Sequence, residues 1–569
     1  MKIIFFVFIV IGTISCGGGG STNSGTKNNG SIQLPLSISG TPVLTAIEDE
    51  TYSFQTLVSN GSGGYSYSIE NAPSWLSISS SGLVSGTPLT DADTGTFTEI
   101  IVSVTDSAQN TASLTAFNLD VTAVNDAPRI TVNTSELSLE SKETFNISYS
   151  VIDEENDNLQ VSVVGLESAF NINILNTVID GTVLDINEVV HGAINIVVTD
   201  SGGQSTSHEI VVNLFPVTDS GLGLTLVGSQ NGPGIHLVIL GDGYQESEYE
   251  LYKEDVFKFI NLLAADGGIA QHSVGWNVHL ARTFSVESGA DTNYGEDAVN
   301  TYFNSGYNCR SIQRLICLDS TIVNSLLLSE FPQHDQAVII VNDSRYGGSG
   351  GQFSVYSRNS PQIALHEMGH SFANLADEYI DEALAESAAN RYSEGIYANI
   401  SANTDPNEVT WSHWIDDKNN YPTTGSNTEV GIFEGALYNE VGFYRPLSNS
   451  RMSSNNANFG VVSSEQWILS IYDTAGAVIG LFPTTKDVTK NEGDGIEFGV
   501  NTLFDRTIQT IKWSIDGVVK NELTDKDIIT LEEASGTYSV MVSISDITGK
   551  IRKIDTSADF SYEWRLTVN

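Results

Sequence analysis

Ile363-Ala-Leu-His-Glu-Met-Gly-His-Ser-Phe-Ala-Asn-Leu-Ala-Asp-Glu-Tyr379 carries the most informative pattern in this chain of 569 residues. It contains His366-Glu367-x-x-His370, and residues four apart share one face of a helix. The two imidazoles can therefore reach one metal ion. Glu367 follows His366 directly and can reach a water molecule beside that ion. This spacing predicts a metal site carried by a helix.

The residue types in this stretch predict zinc and hydrolysis. H-E-x-x-H is typical of zinc hydrolases, in which the glutamate carboxylate acts as general base. Asp377 lies seven residues after His370 and Glu378 follows it, so either carboxylate is a candidate third ligand. Three protein ligands leave the fourth zinc position open, which is the pattern of a catalytic site.

The composition indicates a large, folded and strongly acidic protein. A chain of this length forms about three to five domains, and 40% hydrophobic residues fit folded domains. The net charge of −45 argues against nucleic-acid partners, because phosphates are repelled. The acidity either keeps an exported protein soluble or supplies oxygen ligands for Ca²⁺.

The N-terminus has the features of an export signal. Met1-Lys2 precedes an apolar run over residues 3–11, which is too short to span a bilayer comfortably. The Thr13-Ile-Ser-Cys16 end resembles a bacterial lipobox, with Thr13 in place of the usual Leu. The resemblance implies a signal peptide at 1–16, lipidation of Cys16 and a lipoprotein at the outer membrane or cell surface. Residues 17–30, rich in Gly, Ser and Asn, then form a flexible tether. The alternative is a cleaved signal and soluble secretion.

Two further cysteines lie in the middle of the chain. Cys309 and Cys317 are eight residues apart and, in an exported protein, are predicted to form a small-loop disulfide. The alternative, half of a metal site, lacks a second close pair of Cys or His residues.

Two β-rich modules precede the metal motif, at 31–124 and 125–217. Short alternating runs broken by Gly, Asn, Ser and Pro predict β-sandwiches. The modules share a strand, an Asp-bearing turn and a second strand at Val102–Ser113 and Val197–Ser207. They resemble the cadherin-like and immunoglobulin-like modules of bacterial surface proteins, which implies spacer or adhesion roles and glycan or cell-surface ligands.

The same resemblance implies Ca²⁺ at the joins between modules. The candidate ligands are Asp106, Asp126, Asp153, Glu154, Asp157 and Asp200. The alternative is that these are ordinary turn residues, since Asp favours turns for backbone reasons.

The pattern changes over residues 218–482, where continuous apolar strands alternate with helical spacing and predict an α/β domain. Alternation returns over 483–569, and Trp513 within a strand suits a C-terminal β-sandwich. The predicted fold class is thus multidomain, with an α/β zincin-like catalytic domain flanked by all-β sandwiches.

Several motifs in one order resemble the IgA-peptidase family of zinc metallopeptidases. They are Leu237-Val-Ile-Leu-Gly-Asp-Gly-Tyr244, Val341-Asn342 with the following glycines, His366-Glu-Met-Gly-His370, Leu375-Ala-Asp-Glu-Tyr379, Phe433-Glu-Gly-Ala436, Tyr444-Arg-Pro446 and Ser450-Arg-Met452. The resemblance covers roughly residues 225–480 and implies a metzincin-like endopeptidase that acts on protein or peptide substrates. It does not imply that IgA is the substrate, because a fold hosts many specificities.

The resemblance also implies roles for single residues. His366 and His370 would hold one catalytic zinc ion, with Asp377 as the third ligand. Glu367 would be the base, and Met452 would lie beneath the site. Tyr444 is a candidate hydrogen-bond donor to the transition state, or else a packed aromatic residue.

One position departs from the metzincin pattern. Ala373 stands where a glycine usually ends the helix, and a positive φ would strain an alanine. Asn374 tolerates that conformation better, so the turn is expected to shift by one residue. That shift suits a ligand at Asp377, although Glu378 stays an alternative.

The other histidines are predicted to have structural roles. His236 and His279 lie in apolar strands as packed residues, and His413 is a candidate for lining a substrate cleft. The leading hypothesis is an exported zinc endopeptidase. The alternative is an adhesion or glycan-binding surface protein with an inactive zincin domain, since about half of the chain consists of β modules.

Overall fold

A computed structural model describes residues 34–418, 421–423 and 429–569. The chain forms two compact units. One comprises Met1–Ile130 in its described part, Val151–Gln160 and Val198–Thr206; the other comprises Thr131–Ser150, Val161–Val197 and Ser207–Asn569. The predicted signal, tether and Cys16 lie outside the described residues. None of the helices in the described ranges has the length and apolar character that a membrane crossing needs.

The first β module contains short strands in several small sheets. The strands are β1 (Ser37–Ser39), β2 (Thr45–Ile47), β3 (Tyr52–Gln55), β4 (Leu57–Ser59), β5 (Ser66–Glu70), β6 (Ser77–Ile78), β7 (Leu83–Gly86), β8 (Gly95–Thr105), β9 (Thr111–Ser113) and β10 (Phe117–Thr122). They pair as β1-β4, as β2-β10-β8-β5 with β9 on β8, and as β3-β7-β6. Buried and exposed residues alternate strictly along β10, as the two-residue period of a strand requires.

The second β module contains two four-stranded sheets. Its strands are β11 (Arg129–Val132), β12 (Glu136–Glu140), β13 (Thr144–Ile152), β14 (Gln160–Val164), β15 (Phe170–Ile174), β16 (Val178–Val183), β17 (Val190–Thr199) and β18 (Ser205–Phe215). The orders are β11-β13-β16-β15 and β12-β18-β17-β14. The predicted module boundaries stay predictions.

Helices and parallel strands form the region that carries the metal motif. The elements are β19 (Gly223–Val227), β20 (Ile235–Asp242), α1 (Tyr249–Ala265), β21 (Trp276–Ala281), α2 (Ser320–Glu330), β22 (Gln336–Val341), β23 (Gly348–Ser349), β24 (Ser354–Ser357), α3 (Pro361–Ser371), α4 (Glu382–Ala389), β25 (Phe433–Ala436), β26 (Asn439–Arg445) and α5 (Val461–Ala475). The sheet order is β19-β21-β20-β22-β24-β23, with β21, β20, β22 and β24 parallel.

Alternate residues of the central strand β20 face two cores. Leu237 and Ile239 join a core with α1, α3 and α5. Val238 and Leu240 join a second core with α2. Every residue of β20 is buried, as expected for a strand covered on both faces. This sandwich of helices fixes α3 against the sheet.

The C-terminal strands form two further sheets. They are β27 (Val478–Phe482), β28 (Asp487–Lys490), β29 (Ile496–Thr502), β30 (Gln509–Ile515), β31 (Val518–Val519), β32 (Ile528–Leu531), β33 (Gly536–Asp546) and β34 (Phe560–Val568). The orders are β27-β29-β32 and β28-β34-β33-β30-β31. Trp513 and Trp564 stack in their core, with ring centroids 6.0 Å apart.

This C-terminal block shares a core with the region of the metal motif. Phe504, Ile508 and Ala558 belong to the same apolar cluster as α1, α3 and α5. His272 and Asp546 are joined at 2.7 Å, and both side chains are buried. The block is therefore packed into the region that carries the motif.

Candidate metal centre

Helix α3 holds the two histidines against the core. Ser360 precedes it and Pro361 occupies its first turn, a position that proline favours because no backbone N–H is needed there. Ala364, Leu365 and Met368 are fully buried. The remaining face presents His366 and His370, whose ring centroids lie 4.9 Å apart. The local spacing thus produces the predicted pair.

Asp377 completes the group. Its Oδ1 lies 3.0 Å from Nε2 of His366 and 3.3 Å from Nε2 of His370. Within the described ranges, these three residues form the one group of His, Cys, Asp or Glu whose ligand atoms all lie within 4.8 Å of one another. Asp377 is buried, so the carboxylate is held at a protected position.

The other ring nitrogens fix how the imidazoles point. Nδ1 of His366 donates to the carbonyl of Arg451 at 2.9 Å, and Nδ1 of His370 donates to that of Leu375 at 2.7 Å. A proton on each Nδ1 leaves a lone pair on each Nε2, as in metal-binding histidines. Both lone pairs face Asp377.

These three donors fit a zinc ion. Asp377 Oδ1 is buried and has no hydrogen-bond partner, so three electron-rich atoms converge at one point. Although burial lowers the pKa of His370, the adjacent Asp377 raises it to about 9, which reflects the attraction of this group for a positive charge. Zinc bonds of about 2.0–2.2 Å place tetrahedral N and O ligands about 3.3–3.5 Å apart, close to the separations seen here.

Glu378 is occupied elsewhere, which separates the two candidates for the third ligand. Ser450 Oγ donates to its Oε2 at 2.6 Å, and Asn399 Nδ2 donates to its Oε1 at 2.9 Å. Burial raises the pKa of Glu378 to about 7 although these hydrogen bonds oppose the rise. Glu378 is therefore a support for the neighbouring segment, and the geometry favours Asp377 as ligand.

The helix end shifts by one residue, as predicted from Ala373. Asn374 has a φ of +47°, and its Nδ2 donates to the carbonyl of Ile396 at 2.9 Å. An asparagine tolerates this conformation better than an alanine. The shift leads the chain back so that Asp377 reaches the histidines.

Glu367 lies beside the ligands and against a glycine. Burial raises its pKa, while His366 and His370 oppose the rise. A Cβ added at Gly350 would lie 1.8 Å from Oε2 of Glu367. Gly350 therefore allows the backbone of the glycine-rich segment to approach the carboxylate, a requirement that the sequence alone did not reveal.

A tyrosine that sequence reasoning missed contacts the centre. The hydroxyl of Tyr438 donates to Asp377 Oδ2. Tyr438 and Leu437, both with positive φ, form the turn between β25 and β26, and Leu437 N donates to the carbonyl of Asp377 at 2.9 Å. The quoted motif Phe433-Glu-Gly-Ala436 ends two residues before Tyr438, so the signal was close in sequence.

Tyr444, a candidate either for a hydrogen-bond donor to the transition state or for a packed aromatic residue, lies in an aromatic cluster. It is buried among Trp411 and Trp414, and its hydroxyl donates to Glu434 at 3.3 Å. The packed-aromatic alternative describes this position, because the hairpin directs Tyr438 rather than Tyr444 to the ligands.

Met452 lies beneath α3. It is fully buried, and a Cβ added at Gly369 would lie 2.7 Å from its sulfur. Its carbonyl accepts the backbone N–H of Glu378 at 2.8 Å. The methionine therefore supports the helix between the two histidines without acting as a ligand.

The remaining predicted residues take structural positions. His236 and His279 are buried and hydrogen-bonded to each other at 2.9 Å. His413 Nε2 lies 2.5 Å from the buried Glu465, a contact that accounts for this histidine without a substrate. Cys309 and Cys317 are joined by a disulfide with a Cα–Cα distance of 5.8 Å.

Comparison with known families gives this geometry a context. Residues 225–430 match the family model described as IgA peptidase M64. The match contains all three candidate ligands and Glu367, and it ends before Tyr438 and Met452. Residues 26–122 match the family of putative Ig domains. The resemblance found in the sequence is therefore confirmed, and the family indicates a peptidase.

Other comparisons add little. No curated protein matches the chain. Among solved structures, an endo-fucoidan hydrolase of glycoside hydrolase family 107 is 17% identical over 35% of this chain and 31% of its own, with a TM-score of 0.16. The insect immune protein hemolin is 13% identical over 33% of this chain and 49% of its own, with a TM-score of 0.22. Similarities this weak carry no argument.

Proposed function

We propose that the chain is an exported zinc endopeptidase whose ion is held by His366, His370 and Asp377. The observation that carries this proposal is the convergence of two Nε2 lone pairs on a buried Asp377 oxygen that accepts no hydrogen bond. When bound, zinc supplies Lewis acidity, which polarises the scissile carbonyl and acidifies the attacking water. The metzincin-like assignment of the fold is part of the same proposal.

The residues around the ion divide the remaining work. Glu367 takes the proton of the attacking water on a carboxylate oxygen and delivers it to the leaving amine. Its raised pKa brings its basicity closer to neutral pH, which suits a group that must both accept and release a proton. Tyr438 holds Asp377 in place, and Met452 supports the helix from below.

The substrates in this proposal are polypeptides outside the cytoplasm. A disulfide between Cys309 and Cys317 suits an oxidising compartment. The export signal and the lipid anchor at Cys16 complete the proposal and predict a protein attached to a membrane surface.

The full chain with Glu367→Gln tests the reaction. This variant keeps a carbonyl at the position of the carboxylate but cannot act as base, so kcat/KM is expected to fall by about 10²- to 10⁴-fold. Metal analysis is expected to show one zinc per chain in both proteins. Mass spectrometry of an unstructured protein substrate is expected to show internal cuts. Zinc-loaded full chain that cuts no protein in a broad panel contradicts the proposal.

Metal content assigns the third ligand. Asp377→Asn is expected to lose zinc on dialysis, whereas the matched variant Glu378→Gln is expected to keep it. Zinc retained by Asp377→Asn and lost by Glu378→Gln would reverse the assignment.

We also propose that the first unit binds Ca²⁺. Glu48 is 2% exposed and its Oε1 accepts no hydrogen bond. Burial and the nearby Asp91, Asp126 and Glu154 raise its pKa. Unpaired buried oxygens of Asp153 and Glu155 belong to the same unit. A cation would offset the repulsion between these carboxylates. Among the described residues, however, no three of them bring their oxygen atoms within 4.8 Å of one another.

The calcium proposal keeps most of the predicted ligands. Asp106 is removed from the set because its oxygens accept hydrogen bonds from Ser62 and, within its own turn, from Ala108 and Asn110. Asp200 is removed for the same reason, since Asn125 and Gln204 donate to its two oxygens. Calcium is expected to raise the melting temperature of the full chain, and Glu48→Gln is expected to reduce that shift. The matched variant Asp106→Asn is expected to keep it. A melting temperature unaffected by millimolar Ca²⁺ contradicts this proposal.

A further inference from the structure

A cleft of about 950 Å³ adjoins the glycine-rich segment 347–351. Its walls include Asn293, Tyr307, Asn308, Arg314, Arg345 and Tyr346. No carboxylate is among its lining residues. In a chain with a net charge of −45, a cleft with two arginines and no acidic residue in its walls is a local exception. Its lining residues include neither the candidate metal ligands nor the residues that support those ligands.

Backbone contacts connect this cleft to the catalytic glutamate. Gly348 N donates to the carbonyl of Arg314 at 3.1 Å, and Leu315 pairs with Gly348. Gly350, two residues further along, lies directly against Glu367. Two residues of extended chain span about 7 Å. The wall of the cleft at Arg314 is therefore about two residues of chain from the contact with Glu367, the carboxylate that would activate the attacking water.

The charge of the cleft comes from Arg314. Arg345 is neutralised by Asp343, with Nη2 2.6 Å and Nε 3.0 Å from its two oxygens, and it lies over the ring of Tyr307. The side chain of Arg314 is exposed and has no hydrogen bond or ion pair among the described residues. Its donors are thus available to a ligand.

We propose that Arg314 is a specificity-determining residue that binds the carboxylate side chain of a substrate residue next to the scissile bond. The inference rests on the proposed peptidase function and names the substrate class: polypeptides with Asp or Glu near the cut. A guanidinium matches a carboxylate with paired donors, which gives both strength and orientation. The acidic surface elsewhere would repel such a substrate, so this local charge is needed for its approach.

Peptides with blocked ends test the proposal on the zinc-loaded full chain. Each peptide has an acetylated N-terminus and an amidated C-terminus, and carries one Glu or one Gln at each of four positions on either side of the cut. A second set with free C-termini distinguishes a terminal carboxylate from a side chain. We expect kcat/KM to favour Glu over Gln by about tenfold at one position, the effect of one charge-assisted contact.

Three variants identify the residue responsible. Arg314→Gln is expected to remove the preference for Glu, and Arg314→Glu to replace it with a preference for Lys at the same position. Arg310→Gln is the matched control, because Arg310 is exposed on the same disulfide-bounded loop but does not line the cleft. It is expected to keep the preference.

The outcomes separate this inference from the function on which it rests. Cleavage of neutral peptides with equal rates for Glu and Gln at every position overturns the role of Arg314 and leaves the peptidase intact. Equal loss of preference in Arg310→Gln and Arg314→Gln also overturns it. A preference confined to free C-termini assigns the cleft to a terminal carboxylate and overturns the side-chain form. No cleavage of any peptide overturns both proposals.

Discussion

Tyr438 controls the third candidate ligand through a single hydrogen bond. Its hydroxyl donates to the Asp377 oxygen that does not face the histidines. The bond directs the other oxygen toward them and withdraws electron density from the carboxylate. Residues that orient metal ligands through hydrogen bonds have a substantial effect on metal affinity and on activity.

Tyr438→Phe is expected to weaken zinc binding or activity by about 10- to 100-fold. The ring stays in place, so the loss reports the hydroxyl alone. Competition with a chelator measures the zinc affinity, and peptide cleavage measures the activity. Tyr444→Phe is the control, since the Tyr444 hydroxyl contacts Glu434. A larger loss in Tyr444→Phe than in Tyr438→Phe would reinstate Tyr444 as the functional tyrosine.

Gly350→Ala tests the approach of the backbone to Glu367. The new methyl group would lie 1.8 Å from the carboxylate oxygen, so Glu367 must move. A displacement of about 1 Å can cost roughly 100-fold in rate, and we expect kcat to fall at least tenfold with zinc content unchanged. Gly267→Ala is the control, because its Cβ would make an ordinary contact of 3.6 Å. Unchanged kcat in Gly350→Ala would show that Glu367 is not the base.

The strands carry a buried pair of histidines, of which His279 is expected to respond to pH. His236 Nε2 donates to Gly232, His279 donates to His236, and Thr225 donates to His279. His279 accepts one of these bonds and donates another, so this arrangement requires its ring to be neutral. Burial, with His236 as a second cause, lowers the pKa of His279 to about 3.

Acid is therefore expected to destabilise the second unit through His279. Below its unfolded pKa of about 6.5, the unfolded chain binds a proton that the folded chain does not. The free energy of unfolding falls by up to about 1.4 kcal/mol per pH unit between pH 6.5 and 3. Glu378, whose pKa is raised, contributes the opposite slope. Comparison with His279→Gln by denaturant titration at pH 7, 6 and 5 isolates the effect, and equal slopes in both proteins would contradict it.

Local spacing accounts for what the sequence could predict at the scale of elements. The pairing of His366 and His370 follows from one helical turn. The shift of the helix end to Asn374 follows because a positive φ would strain an alanine at position 373. Tyr438 lies 61 residues beyond Asp377 and arrives through a hairpin turn that has no signal of its own. Gly350 is one of several glycines in its segment, and only the fold shows which one meets Glu367.

At the scale of the whole molecule, too, local sequence patterns do not reveal contacts between distant segments. Alternation over 483–569 predicted strands, but it cannot show which other core they join. Phe504 packs against His272 and Tyr472, with ring centroids 5.3 Å and 5.5 Å away. The catalytic region is consequently incomplete at residue 482, and experiments on residues 218–482 alone would remove part of its core.

Phe504→Ala is expected to lower the free energy of unfolding by about 3–5 kcal/mol. The side chain is 3% exposed and belongs to the core that holds α3, so activity is expected to be lost at a lower temperature. Phe482→Ala is the control, since Phe482 is 56% exposed and should change stability by less than about 0.5 kcal/mol. Thermal unfolding of the full chain measures both, and equal effects would show that the C-terminal block is only an appendage.

The shared core has a consequence for the order of synthesis. Ala558 follows His366 by 192 residues, yet both lie in the structure that surrounds α3. A ribosome adds about 5–20 residues per second, so the core is completed about 10–40 s after the histidines have been made. A chain that is still emerging therefore lacks part of the core against which α3 packs. The core around α3 is thus complete only when the C-terminal block has been made.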